Sequence, residues 1–261
     1  MTARSPLAVM LGAALATGCA GAGPVLRNPA SPTAWRGYWL EQHRAELAQA
    51  TTPGAARPLG HGRTVLLVPG MTIAAELFAP MAERLRRDGF NPVVYEDPAL
   101  LTTGIEPAAK RLAARIEALV AETGEDRIDV VAQCVGGVTA RYYVQRLGGD
   151  RRVDHLVTFV SPHHGSLPAV VAADVTGWQG MRDIRRDSAL LQAVDAAPFP
   201  ASVAFTSIYS CHDELLLPRD TAAVKGAVNV ELCERRPIGH FDGFWDPGVY
   251  QRIVHGLLPA G

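Results

Sequence analysis

A cysteine stands at the centre of the segment with the clearest chemical potential, Ala132-Gln133-Cys134-Val135-Gly136-Gly137. An apolar run ends just before this segment and a helical pattern follows directly, so a strand must turn straight into a helix. Such a tight turn needs small residues around its apex, and Ala132 and Gly136 stand two positions before and after Cys134. The apex side chain is then exposed at a helix N-terminus, where unpaired backbone N–H groups favour negative charge. The spacing therefore predicts a nucleophile at Cys134.

Four other segments follow, in order, the loop motifs of one known superfamily. They are Val65-Leu66-Leu67-Val68-Pro69-Gly70-Met71-Thr72, Ser161-Pro162-His163-His164-Gly165-Ser166, the loop from Tyr209 to Pro218, and Ile238-Gly239-His240. Together with the turn at Cys134 they resemble the α/β-hydrolase superfamily, specifically bacterial lipases and esterases. Ala132 replaces the usual first glycine of the elbow and Cys134 replaces the usual serine. The resemblance covers residues 63–257 and implies the α/β-hydrolase fold, with a mostly parallel central sheet flanked by helices.

The resemblance assigns catalytic roles to three side chains. Cys134 is the expected nucleophile, His240 the general base and Asp213 the orienting acid, in the chain order that this fold uses. A histidine with an ordinary pKa of about 6.5 can take a proton at neutral pH and return it to a leaving group. A carboxylate keeps one imidazole nitrogen protonated, so that the other nitrogen faces the nucleophile.

The same resemblance places an oxyanion hole at the backbone N–H groups of Val135 and of Met71 or Thr72. One such donor is typically worth about 2.7–4 kcal/mol of the reaction barrier. A thiol at a helix N-terminus beside a histidine ionises more readily than a free thiol. Its acyl intermediate is a thioester, which can pass the acyl group to water or to another acceptor.

These residues favour an exported carboxylic-ester hydrolase of lipase or esterase type, acting on a small-molecule acyl ester or lipid. A thioesterase or acyltransferase with the same triad is the first alternative. The second comes from another class: a catalytically silent homologue that binds a lipid or a protein partner. Cysteine in place of serine is still a nucleophile, and Asp213 and His240 are both retained. This combination argues against loss of activity.

The rest of the chain must position these loops, and it alternates between strand-like and helix-like patterns. Strands are predicted at 64–68, 92–95, 128–132, 153–160, 202–209 and 227–232, and helices at 35–50, 76–88, 106–122, 135–147 and 249–257. This alternation predicts a parallel sheet covered on both faces. Right-handed crossovers then bring all the strand-to-helix loops to one edge of the sheet.

The first nineteen residues, 1–19, have the pattern of an export signal. Arg4 supplies positive charge, Leu7 to Leu15 form a short apolar run, and small residues precede Cys19. This order also resembles a bacterial lipoprotein cleavage site, at which Cys19 would be lipidated and anchored in a membrane. We therefore expect a lipoprotein of the bacterial cell envelope or a secreted protein.

Composition divides the remainder into two parts. Residues 20–34 are rich in Gly, Ala and Pro and are predicted to be a flexible linker. Residues 35–261 are predicted to form a single domain, with 166–200 as an insertion or lid before the acid-bearing strand.

Export would permit disulfides, and four cysteines are present. Cys19 belongs to the signal and Cys134 to the elbow, which leaves Cys211 and Cys233 as the natural pair. Each closes a predicted strand at the same sheet edge. If those strands are neighbours, the two Cα atoms fall within the bridgeable range of about 4.4–6.8 Å.

Charge and composition argue against several other classes. The 261 residues carry a formal net charge of −1, so no electrostatic footprint predicts nucleic-acid binding. We expect no cofactor and no metal site, and we expect a monomer.

Overall fold

One parallel sheet organises the molecule, for which the computed structural model describes residues 23–50, 57–97, 100–233 and 237–259. Its strands are β1 (Thr64–Val68), β2 (Asn91–Val94), β3 (Ile128–Gln133), β4 (Val153–Phe159), β5 (Ala204–Ser210) and β6 (Val228–Leu232). Their order across the sheet is β2-β1-β3-β4-β5-β6, and every neighbouring pair is parallel. The predicted parallel sheet flanked by helices is confirmed.

Helices connect the strands and cover the sheet. They are α1 (Gly23–Arg27), α2 (Pro32–Gln42), α3 (Arg44–Gln49), α4 (Ala79–Arg87), α5 (Leu100–Thr103), α6 (Ile105–Thr123), α7 (Val135–Arg146), α8 (Pro168–Thr176), α9 (Gln179–Asp183), α10 (Ala189–Asp195) and α11 (Pro247–Gly256). Short 3₁₀ turns lie at Ala75–Phe78, Gly149–Arg151, Arg219–Ala222 and Asp242–Phe244. The single helix predicted at 35–50 is broken at His43, which separates α2 from α3.

The sheet has apolar cores on both faces, as the uninterrupted apolar run of β1 requires. Successive residues of β1 alternate between the two cores: Val65 and Leu67 face one, and Leu66 and Val68 face the other. The first core is covered by α4 and α11, and the second by α6 and α7. Because both faces of the sheet are buried, the strands are held in fixed positions relative to one another. The strand ends from which the loops leave are therefore fixed as well.

Those loops leave from one edge. Cys134 follows β3, Asp213 lies three residues after the end of β5, and His240 follows β6. Because the three strands are parallel and lie within four adjacent positions of the sheet, their carboxyl ends bring the three loops together.

The N-terminal part differs from the expected flexible linker at 20–34. From Gly23 onward the chain forms α1 and then α2, whose first turn is capped by Ser31 through a 3.2 Å hydrogen bond from the Ala34 N–H. Val25 is 3% exposed and packs with Tyr38, and this contact holds the segment in place. The predicted export signal, including Cys19, lies outside the described residues.

The insertion at 166–200 consists of the helices α8, α9 and α10. The Ser188 side chain caps α10 by accepting a 3.2 Å hydrogen bond from the Leu191 N–H. Within the described part of the chain, no helix combines the length and the apolar character needed to cross a membrane.

Candidate active site

Cys134 occupies a strained turn between β3 and α7. Its φ of 51° and ψ of −127° lie outside the regions that side-chain-bearing residues prefer. The turn is held by hydrogen bonds from the Cys134 N–H to the Phe159 carbonyl, at 3.1 Å, and from the Gly137 N–H to the Cys134 carbonyl, at 3.0 Å. Gly136 must lack a side chain, since a Cβ there would lie 2.4 Å from the Pro69 carbonyl oxygen. This is the geometry that the small residues around Cys134 predict, and strain of this kind is typical of functional sites.

His240 and Asp213 form a buried pair beside this turn. The imidazole Nδ1 lies 2.8 Å from an Asp213 carboxylate oxygen, and the two residues are 2% and 1% exposed. The other carboxylate oxygen accepts 2.8 Å hydrogen bonds from the N–H groups of Leu215 and Leu216. Because the carboxylate is an acceptor, Nδ1 must be the donor and Nε2 is left for the reacting side.

The electrostatics of the pair follow from its partners. Burial by itself lowers the pKa of His240, but the charges and hydrogen bonds of Asp213 and Cys134 outweigh burial and raise the pKa well above its ordinary value. Burial by itself raises the pKa of Asp213, yet the charge of His240 and the hydrogen bonds to the carboxylate lower it overall. The imidazole is therefore held by the carboxylate through Nδ1, and Cys134 contributes to the raised pKa of the ring.

The predicted oxyanion donors lie on two neighbouring loops. Met71 and Thr72 follow β1, Val135 begins α7 directly after β3, and β1 pairs with β3. Among the described residues, the N–H groups of Met71 and Thr72 have no hydrogen-bond acceptor, and Val135 is the first residue of its helix. The assignment of these N–H groups to an oxyanion hole stays a prediction.

The loop after β1 lies directly against the elbow. A Cβ at Gly70 would meet the Cβ of Cys134 at 2.7 Å, so only glycine permits the approach. Thr72 has a φ of 53°, and its hydroxyl donates a 2.7 Å hydrogen bond to the Met71 carbonyl.

An apolar cluster surrounds the elbow and joins it to the insertion. Cys134 and Met71 pack against a set of buried side chains from α6, α7 and the insertion helices. These include Trp178 and Met181, which are 6% and 1% exposed. A partly buried cysteine in apolar surroundings is suited to an acyl group.

Sequence reasoning missed the support that the N-terminal helix gives to the catalytic loop. Phe241, next to His240, packs against Trp39 at 4.8 Å and stacks on His43 at 4.3 Å, measured between ring centroids. The predicted helix at 35–50 contains Trp35 and Trp39 at helical spacing, but this pattern does not identify the surface against which the helix packs.

Cys211 and Cys233 form a disulfide, as predicted, with their Cα atoms 5.1 Å apart. Cys211 directly follows β5 and Cys233 directly follows β6, and these strands are paired. The bridge thus joins the loop that carries Asp213 to the loop that leads to His240.

Two groups of potential metal ligands occur among the described residues. The first, Cys211, Glu231 and Cys233, includes the two cysteines of the disulfide. The second, Asp129, Asp154 and His155, lies at the opposite edge of the sheet, where a 2.7 Å ion pair joins Arg63 to Asp129. A guanidinium already neutralises the buried carboxylate, so this cluster fits a structural role better than a metal centre.

This architecture, with a strained elbow after β3 and an acid and a histidine after β5 and β6, is the α/β-hydrolase fold, here with cysteine at the elbow. Lipase B from Pseudozyma antarctica is 25% identical over 192 residues, covering 69% of this chain and 54% of that protein. The chain therefore spans about half the length of this curated relative. No protein-family model matches the chain.

Solved structures confirm the fold. The mature form of Bacillus licheniformis lipase BlEst2 superposes with a TM-score of 0.63 at 14% identity, covering 78% of this chain and 96% of that one. Aspergillus fumigatus lipase B has a TM-score of 0.64 at 19% identity, covering 80% and 56%. The predicted resemblance to α/β hydrolases of lipase and esterase type is confirmed.

Proposed function

We propose that this protein is a carboxylic-ester hydrolase that works through a covalent acyl-enzyme on Cys134. The observation that carries the proposal is the buried, hydrogen-bonded pair of His240 and Asp213 at the same edge of the sheet as the strained turn of Cys134. The names of the similar proteins, lipase B and lipase BlEst2, support the same class of reaction. Their low identity and the shared fold leave the substrate to be inferred from the site.

Acylation begins when the sulfur of Cys134 attacks the ester carbonyl carbon, with the thiol proton held on His240. A C–S bond forms, and the π electrons of the carbonyl move to its oxygen. The N–H groups of Val135 and Met71 donate to that oxyanion. When the C=O bond re-forms, the C–O bond to the alcohol breaks, and His240 gives its proton to the departing oxygen.

Deacylation repeats these steps with water. Water attacks the thioester carbon, His240 takes one of its protons, and collapse of the second oxyanion breaks the C–S bond. The carboxylic acid leaves and the sulfur recovers the proton from His240. Asp213 keeps Nδ1 protonated throughout and stabilises the imidazolium that forms in each half-reaction.

The cysteine favours a second candidate, acyl transfer. Because the intermediate is a thioester, an alcohol, an amine or a thiol can replace water as acceptor. A thioesterase differs only in its first substrate, whose leaving group is a thiol. Both alternatives use the same three residues. They differ from ester hydrolysis in the acyl donor or in the acyl acceptor.

A comparison of three forms tests the proposal. Short- and long-chain p-nitrophenyl esters and an acyl thioester are assayed with wild type, Cys134→Ser and Cys134→Ala. We expect wild-type turnover and complete loss of it in Cys134→Ala, because the nucleophile is removed. Turnover in Cys134→Ser alone would indicate a silenced lipase, and equal turnover in wild type and Cys134→Ala would refute the assignment of Cys134.

We also propose that the protein is exported, as a lipoprotein or in secreted form. The support is the signal-like pattern of residues 1–19 and the disulfide between Cys211 and Cys233, a bond that persists in oxidising compartments. A lipid on Cys19 would place the hydrolase at a membrane surface.

A further inference from the structure

The residue before the cysteine, Gln133, is buried at the contact between the elbow and the loop after β1. It is the last residue of β3 and is 0% exposed. Its amide oxygen, Oε1, accepts a 3.0 Å hydrogen bond from the Gly70 N–H. Gly70 immediately precedes Met71, whose N–H is a predicted oxyanion donor, so this bond joins the two halves of the oxyanion hole.

The orientation of the Gln133 amide is fixed by this contact. With the amide reversed, its nitrogen would face the Gly70 N–H, and two donors would oppose each other. In the observed orientation, the amide nitrogen, Nε2, is buried and has no hydrogen-bond partner among the described residues. A buried donor without a partner destabilises a fold. Packing alone therefore does not explain a glutamine here, because methionine has a similar shape and no such donor.

We propose that Gln133 is a positioning residue that holds the loop after β1 against the elbow, so that the Met71 N–H points to the same place as the Val135 N–H. The proposal rests on the proposed ester hydrolysis. Gln133 contacts neither the reacting carbonyl nor the leaving group. It acts through Gly70, where even a Cβ atom would clash with its Oε1 at 2.2 Å.

The test replaces Gln133 by Met, which keeps the length of the side chain and removes the acceptor. We expect kcat for p-nitrophenyl esters to fall by about 10- to 100-fold, since a displacement of about 1 Å can cost as much. We expect KM to change less than threefold, because the apolar acyl site is intact, and the unfolding temperature to shift by no more than about 4 °C. Gln192→Met, at an exposed position on α10, is the matched control and should retain wild-type kcat.

Hydrogen exchange of the Gly70 amide supplies a readout that does not depend on activity. The amide should exchange faster in Gln133→Met and remain slow in Gln133→Glu, whose carboxylate keeps an acceptor at the same distance. If Gln133→Met does not fold, Gln133→Asn, which has an amide too short to reach Gly70, replaces it.

Two results would overturn the proposal: unchanged exchange of the Gly70 amide, or faster exchange with kcat within twofold of wild type. Absence of ester hydrolysis in the wild type would refute the proposed function instead. In that case the exchange comparison still decides whether Gln133 holds the loop.

Discussion

Cys134 presents sulfur at a turn where the resemblance to lipases and esterases implies a serine hydroxyl, and the surrounding geometry determines what that sulfur can do. A thiol is larger and more easily ionised than a hydroxyl, so it depends less on a general base for its attack. His240 nonetheless keeps the hydrogen bonds that a general base needs. Its Nδ1 lies 2.8 Å from an Asp213 carboxylate oxygen, and two backbone N–H groups orient that carboxylate. This completeness favours an active site in which the histidine protonates the leaving group.

The Asp213→Asn variant tests the role of the acid. The amide of the substituted asparagine can donate a hydrogen bond to Nδ1, and His240 is then held in the wrong tautomer, with its proton on Nε2. In triads of this kind the expected loss is about 10⁴-fold in kcat. Steady-state kinetics with a p-nitrophenyl ester measures the effect. Loss of less than tenfold in a folded variant would show that Asp213 does not orient the base.

The same carboxylate gives a pH dependence of stability. The folded-state pKa of Asp213 lies below its ordinary value of 3.8, because the charge of His240 and the hydrogen bonds to the carboxylate outweigh burial. A lowered pKa means stability that is present above the unfolded value and is lost as pH falls through the folded value. Urea unfolding of wild type and Asp213→Asn should therefore show a stability difference that narrows as the pH falls below 3.8. A difference that is constant with pH would contradict the assignment.

The N-terminal helix α2 supports the candidate active site through contacts with two of its loops. Trp39 and His43 pack on Phe241, the neighbour of His240, and Arg36 forms ion pairs of 3.4 and 2.9 Å with Glu76 and Glu96. The helix thus contacts both the histidine loop and the 3₁₀ turn that follows the oxyanion loop.

Trp39→Ala tests this support. Loss of the aromatic contact should loosen the loop of His240, lowering kcat by about 10-fold and the free energy of unfolding by about 1–3 kcal/mol. Arg44→Ala, on the neighbouring helix α3, removes only an exposed ion pair with Glu41 and should leave both quantities nearly unchanged. A loss of stability in Trp39→Ala without any loss of kcat would mean that α2 contributes general stability rather than alignment of the base.

The elements differ in how far sequence alone could predict them. The apolar run of β1 defined both of its ends, and the small residues around Cys134 identified the turn, because each pattern has a single local cause. The acid and the histidine required resemblance to a superfamily, since nothing local connects Asp213 to His240 across 27 positions. Helix α1 at 23–27 and the first turn of α2 at 32–34 were missed because they depend on a long-range feature, the burial of Val25 against Tyr38.

Across the whole molecule, the disulfide between Cys211 and Cys233 joins the last two strands of the sheet at their carboxyl ends. It closes a segment with a sequence separation of 22 residues, for which chain entropy gives about 3 kcal/mol. The bridge stabilises the part of the fold that carries both the acid and the base.

Replacing both cysteines by serine tests that contribution. The double variant should unfold at lower urea concentration, by an amount equivalent to about 2–4 kcal/mol. Reductant should reproduce the loss in wild type and in Cys134→Ala, but it should have no effect on the double variant. An unchanged midpoint in the double variant would show that the bond adds nothing to stability.

Intact-protein mass spectrometry, after rapid acid quenching of the protein with a p-nitrophenyl ester, detects a covalent acyl-enzyme on Cys134. We expect one added acyl group in wild type, located on the peptide that contains Cys134, released by hydroxylamine and absent from Cys134→Ala. Enhanced accumulation is expected in His240→Ala, if the ester is reactive enough to acylate the thiol, because deacylation lacks its base. Ester turnover accompanied by acyl transfer to a different residue, or an equal adduct on Cys134→Ala, would show that Cys134 is not the nucleophile.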